Sequence, residues 1–252
     1  MVMPGWFTSF MNGKPAQFGT LLALAGILVL TPDTLLIRLS GLERWTLMSW
    51  RGILMGVMLF TIWRLLFTRQ PWRDLRTVMT WQGLLVIATF SLNSVTFTLG
   101  IVETSASVVL TAVATMPVFA AILSAFLLQE RQGWMGWAAI FTAMIGVAIV
   151  VFDGGNAVGQ PAGSVLLGAF YGVLTAVGLA VTFTFARKYP RLAILPAAAL
   201  GAFFSGVIGV VLANPAQIFD VPLWTVLLMG LVILPVSFTC LNLAPRYTSA
   251  AI

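Results

Sequence analysis

Two charged residues of this sequence stand where charge is costly. Asp33 and Arg51 each fall inside an apolar run long enough to cross a bilayer. An ionised side chain at such depth faces a partner, a cavity or a transport path rather than lipid. If the first run ends near Arg38 and the second begins near Trp45, both charges lie roughly 8–9 Å in from the same end at about 1.5 Å per residue. Adjacent antiparallel helices would then join them. Such a pair has two readings: a neutralising ion pair that holds two helices together, or an electrostatic centre that takes up a zwitterionic solute or a proton.

Other residues extend this candidate centre. Pro32 precedes Asp33; a proline removes one helix hydrogen bond, and the carbonyls it frees must find partners or line a wet cavity. Pro117, Pro196 and Pro235 offer similar breaks, each an ordinary kink or part of a transport site. Asn93, Ser94, Thr96 and Thr98 place polar groups in the third run, and Ser237, Thr239 and Asn242 do so in the eighth. They suit a cavity between the two halves, with interhelical hydrogen bonding as the alternative. Trp50, Phe90, Phe97, Tyr171, Phe183 and Phe204 are candidates for an aromatic lining, or for packing and lipid contact. Gly52 with Gly56, and Gly168 with Gly172, have the spacing that lets helix backbones approach closely. Glu103 is expected to be solvated at a helix end, and Glu130 with Arg131 to end the fourth run.

Enzyme chemistry finds no support. Histidine is absent and Cys240 is alone, which removes the commonest general base, the commonest metal ligand and any disulfide framework. Neither a phosphate-binding glycine loop nor a Ser-His-Asp set is present. GGNAVG at 154–159 reads as a turn. No cofactor and no metal are expected.

The elements that must carry these residues are membrane helices. Of 252 residues, 60% are hydrophobic and 8% charged, against about 25% charged in soluble domains, so lipid must cover most of the surface. Eight apolar runs of spanning length are legible, at 17–38, 45–67, 79–101, 104–128, 134–152, 163–186, 192–213 and 224–244. The net charge of +6 does not point to nucleic acid, because the basic residues sit in short gaps between runs. Lys14, Arg64, Arg69, Arg73, Arg76, Arg131, Arg187, Lys188, Arg191 and Arg246 fall on one side, Arg38 and Arg44 on the other. That asymmetry places the N-terminus in the cytoplasm. Trp45, Trp81, Trp134 and Trp224 mark span ends, as an interfacial aromatic belt requires.

The chain also repeats itself. TLGIVETSASV at 98–108 aligns without a gap with NLAPRYTSAAI at 242–252, an offset of 144 that lays the first three runs on the sixth to eighth. Five spans per repeat is an odd number, so the second repeat enters from the opposite side, a transporter trait. The expected fold is therefore all-α and integral to the membrane, with two inverted five-helix repeats at 1–153 and 161–252. A ninth run starts at Thr248 and breaks off at Ile252. The expectation is a second repeat truncated after its third helix.

The stretch TSASVVLTAVATMPVFAAILSAFLLQER at 104–131 resembles the fourth-helix signature of the EamA-like members of the drug/metabolite transporter superfamily. Its marks are the Thr-Ser-Ala opening, Pro117 in mid-span and Glu130-Arg131 at the end. The polar break at Thr31-Pro32-Asp33 and Arg51 early in the second run are similar to that family too. The resemblance covers almost the whole chain. It implies ten helices and alternating access, with small organic solutes such as amino acids or related metabolites moved mostly outward. It also implies a bacterial inner membrane, with a small-molecule substrate and the lipid bilayer as partners. A homodimer is left open, as is a second reading, a membrane scaffold or assembly subunit that transports nothing.

Overall fold

The computed structural model describes residues 15–129, 133–153, 164–216 and 218–246. Lys14, the Glu130-Arg131 helix end, the GGNAVG turn and the run beginning at Thr248 lie outside the described residues. What is described is helical, with no strand. In chain order the helices are α1 (Pro15–Leu30), α2 (Asp33–Ser40), α3 (Arg44–Phe67), α4 (Pro71–Val78), α5 (Trp81–Glu103) and α6 (Ala106–Val113). They continue with α7 (Met116–Leu127), α8 (Trp134–Asp153), α9 (Val165–Lys188), α10 (Ile194–Leu212) and α11 (Leu223–Leu243). With α1–α2 and α6–α7 each counted as one span, seven spans are long and apolar enough to cross a bilayer. Helix α8, of 20 residues, fills the position of the fifth run.

Two spans are broken, and each break has a proline beside it. Between α1 and α2 stands a turn at Thr31-Pro32; between α6 and α7 stands one at Ala114-Thr115, just before Pro117. The ring of a proline clashes with the carbonyl four residues earlier, and for Pro117 that residue is Val113, where α6 ends. Pro235 follows a π-helical stretch, Leu228–Ile233, inside α11, a common device where the ladder loses a donor. Pro196 makes no break: it lies in the first turn of α10, where helix N–H groups have no intrahelical partner anyway.

The main packing seams are α3 on α10, α5 on α9 and on α10, α1 on α11, and α6–α7 on α9. One apolar core gathers Leu59, Trp63, Phe90, Phe185, Leu195 and Leu243; a second gathers Leu36, Leu47, Ile101, Val109, Met229 and Ile233. Exposed apolar side chains such as Leu28, Phe126, Leu166 and Val211 face what must be lipid. Trp81, Trp134 and Trp224 are exposed at helix starts.

The glycines do what their spacing predicts. A Cβ on Gly52 would collide with the Gly206 backbone and fall 2.7 Å from the Ala202 carbonyl oxygen. A Cβ on Gly172 would stand 2.6 Å from that of Ala112, and one on Gly168 would collide with the Thr104 side chain. Small residues thus set the α3–α10 and α9–α6 distances.

The element absent from the sequence reading is α4. The stretch Arg69–Arg76 reads as a charged gap, yet Pro71–Val78 forms an eight-residue helix with Pro71 at its first position, where proline is pre-organised for helix.

Candidate functional site

Arg51 and Asp33 meet. Asp33 is seven residues before Ser40 at the end of α2, and Arg51 is seven after Arg44 at the start of α3. The equal depth, about 10 Å along each helix, brings the side chains level. Arg51 Nη1 donates to Asp33 Oδ1 at 2.7 Å, and Nη2 donates to Oδ2 at 3.0 Å. This is the planar two-point geometry that arginine offers a carboxylate. The pair is sequestered, with Asp33 1% and Arg51 6% exposed. Nη1 also contacts Met229 Sδ at 3.6 Å.

Local structure places both groups. The break at Thr31-Pro32 makes Asp33 the first residue of α2, so its carboxylate stands at the positive end of that helix. Thr31 stays attached to the turn before it through Thr31 N and Oγ1, which donate to the Ile27 carbonyl at 3.0 and 3.1 Å. Arg51 precedes Gly52, where α3 touches α10, so the base of its side chain is held by direct backbone contact between two spans.

The pair forms part of the wall of a cavity of about 310 Å³. Thr31, Thr34, Asn93, Ser94 and Thr175 add polar groups, and Phe90, Phe97 and Phe238 add aromatic surface. Asn93 is 5% exposed, and no described residue hydrogen-bonds its side-chain amide. Around it the α5–α9 seam is closed by hydroxyl pairs, Thr96 with Thr175 at 2.7 Å and Thr89 with Thr182 at 3.3 Å. Ser205 Oγ donates to Ser94 Oγ at 2.9 Å.

Other predicted positions lie elsewhere. Trp50 turns to the loop before α11, where its Nε1 donates to the Ile218 carbonyl at 2.8 Å. Tyr171 packs beside Gly100 on the α5–α9 seam. Neither lines the cavity, and nor do Phe183 or the lipid-exposed Phe204. Pro32 and Pro117 adjoin the two helix breaks without lining it. The eighth span contributes Leu234 and Phe238 rather than its polar residues. Ser237 Oγ instead donates to the Ile233 carbonyl at 2.6 Å, and Asn242 Nδ2 to the Phe238 carbonyl at 2.8 Å. Glu103 is not merely solvated: Arg44 Nη1 reaches its Oε2 at 3.8 Å. Nearby, Arg38 Nη2 donates to the Thr104 carbonyl at 3.3 Å.

Among the described residues no group of three or more His, Cys, Asp or Glu could hold a metal ion. The arrangement presents a buried positive and a buried negative group, an unengaged amide and an aromatic wall. That set can bind a small solute; it holds no nucleophile paired with a base.

Comparison with known proteins agrees with this architecture. A solved structure described only as "Crystal structure of protein" superposes with a TM-score of 0.65 at 14% identity, over 93% of this chain and 81% of that one. At that identity the likeness concerns the fold. No curated protein matches the chain. The sequence model of the EamA-like transporter family matches residues 17–152, which covers α1 to α8, the Asp33–Arg51 pair and Asn93. The chain is a multi-pass membrane protein and belongs to the EamA-like transporter family, whose members are membrane transporters of the drug/metabolite type.

Proposed function

We propose that this chain is a secondary transporter that exports small organic solutes, amino acids or related metabolites, by alternating access around the Asp33–Arg51 cavity. The observation that carries the reading is a buried two-point ion pair in the wall of a largely apolar cavity. Desolvation makes a buried ion pair a poor way to join two helices; apolar side chains of similar volume often do as well or better. A zwitterionic solute gives the pair another use. Its ammonium replaces Arg51 at Asp33 and its carboxylate replaces Asp33 at Arg51, so no buried charge is left alone. Asn93 supplies amide donors and an acceptor, and the three phenylalanines receive an apolar side chain. The volume, about 310 Å³, stands at the small end of ligand pockets, which span roughly 300–1,000 Å³.

Two inverted repeats, 1–153 and 161–252, would supply the mechanics. Packing supports this part of the reading. If α1–α2 corresponds to α9, α3 to α10 and α5 to α11, exchanging the halves maps the α5–α9 seam onto α11–α1 and the α3–α10 seam onto itself, and all three are major contacts. The helix starts replace the single offset of 144 by three. Gln17 and Val165 are 148 positions apart, Arg44 and Ile194 150, Trp81 and Leu223 142. The last interval is shorter mainly because α3 has 24 residues and α10 has 19, and also because the connection at 68–80, which holds α4, is longer than the one at 213–222. Under these offsets Asp33 and Arg51 fall on Val181 and Gly201, so the ion pair has no copy, as a site would not. The ten-to-two asymmetry of basic residues supports a cytoplasmic N-terminus; a bacterial inner membrane is part of the same proposal.

The test is efflux from proteoliposomes preloaded with a mixed pool of labelled amino acids, with Asp33→Asn beside the unaltered chain. Selective release of one class, lost in the variant, is the expected result. Folded protein that releases none of them, with or without a proton gradient, would overturn the amino-acid assignment. Recovery with another protein at fixed stoichiometry would then favour the scaffold reading.

A further inference from the structure

The arginine-rich end of the bundle holds a second cavity, of about 500 Å³, that solute transport leaves unused. It lies between the end of α3, helix α4 and the turn from α9 to α10. Trp63, Phe67, Ile194 and Leu195, all buried, give it an apolar floor. Arg69, Arg73 and Arg191 reach it from three separate segments. All three are exposed, and among the described residues none makes an ion pair. The wall also contains Asp74, which forms no ion pair with them. Thr77 Oγ1 accepts the Ala193 N–H at 3.1 Å, which ties α4 to the turn and fixes the width of the opening.

Setting orientation in a membrane needs basic residues in loops; it does not need three guanidinium groups on one cavity. The depth of the cavity narrows the ligand. Helix α4 carries Trp72, 80% exposed, beside its arginines, and the exposed Met79 caps its end. A short helix of that composition lies in the headgroup layer. The arginines therefore stand at the level of lipid phosphates, and guanidinium binds phosphate through paired hydrogen bonds. We infer that this cavity is a binding site for the phosphate-bearing headgroup of an anionic phospholipid, held by Arg69, Arg73 and Arg191, with the apolar floor receiving the start of the glycerol ester. The inference is independent of what the transporter moves.

The full chain is reconstituted into nanodiscs of mixed phosphatidylglycerol and phosphatidylcholine, and the lipids that stay bound on transfer to detergent are counted by native mass spectrometry. Arg73→Gln/Arg191→Gln is compared with Arg64→Gln/Arg76→Gln, which removes two charges from the same end but outside the cavity. The expected preference for phosphatidylglycerol falls roughly tenfold for each cavity guanidinium lost, as for the loss of a hydrogen bond between charged groups, and changes little in the control pair. Equal losses in both double variants would overturn the inference, since diffuse surface charge would then explain the preference. Saturable binding of inorganic phosphate in pure phosphatidylcholine discs, abolished by Arg73→Gln/Arg191→Gln and without lipid preference, would overturn the lipid assignment. A poorly folded glutamine variant is replaced by Arg73→Lys/Arg191→Lys, which keeps the charge; retained charge with a reduced preference supports the paired geometry, and an unchanged preference overturns it.

Discussion

Arg51 closes on Asp33 with both terminal nitrogens, at 2.7 and 3.0 Å, across the seam between a broken first span and an unbroken second one. The break is what makes the contact possible in this form. It puts Asp33 at a helix start, free of the preceding turn, and level with a side chain that the α3–α10 contact holds in place. Structural and functional roles for such a pair predict different things, and the difference can be measured.

Asp33→Asn leaves Arg51 buried without its counter-charge, a loss of about 3–5 kcal/mol when a buried pair is broken from one side. A lowered thermal midpoint in detergent is the expected outcome. The double variant Asp33→Asn/Arg51→Gln removes both charges and should regain most of that stability. Zwitterion efflux should remain abolished in both. Normal efflux from the double variant would reduce the pair to a helix clamp.

Asn93 predicts the opposite combination. Its amide is buried in the cavity wall and has no partner among the described residues, so Asn93→Ala removes no internal hydrogen bond. The midpoint should stay within error. A hydrogen bond to the solute worth about 0.5–1.5 kcal/mol would raise the half-saturating concentration by roughly 2- to 12-fold. An unchanged half-saturation value would place Asn93 outside the binding site.

Much of this site could be read from the chain. Asp33 and Arg51 stood out because charge in an apolar run needs a reason, and counting residues from the span ends gave their common depth. Facing was harder to read. Helices apolar on all sides carry no stripe to show which way Trp50, Tyr171 or Ser237 points. The Ser237 hydroxyl satisfies itself on its own helix, so nothing obliges it to face the cavity. Phe238, one residue on, does face it. Helix α4 escaped because eight residues holding Arg73, Asp74 and Arg76 between two long spans look like a loop; their amphipathic order has meaning only beside a membrane surface.

Thr175 joins the cavity to a packing seam. Its hydroxyl meets that of Thr96 at 2.7 Å and also donates to the Tyr171 carbonyl at 2.9 Å. Thr175→Val keeps the shape and removes both bonds. Interhelical hydrogen bonds in membranes average about 0.6 kcal/mol, so the expected fall in stability is of that order. A loss above about 2 kcal/mol, measured by reversible unfolding in mixed micelles, would mean that the seam acts as a connected network rather than as separate pairs.

The tightest test of the architecture is Gly52. The α3 and α10 backbones touch there: a Cβ would meet the Gly206 backbone, and the Ala202 carbonyl oxygen would be 2.7 Å away. Backbone cannot rotate aside as a side chain can, so Gly52→Ala must push the two spans apart, at a cost of about 1–3 kcal/mol for overpacking. Arg51 is the preceding residue, so the same displacement shifts the base of the guanidinium and should weaken efflux beyond the stability loss. Gly146 supplies the control. Nothing stands within 4 Å of a Cβ there, and alanine inside a helix is favoured over glycine by about 0.8–1.0 kcal/mol. Gly146→Ala should therefore leave both stability and efflux intact. Equal behaviour of the two variants would mean that the close α3–α10 approach does not hold Arg51 in position.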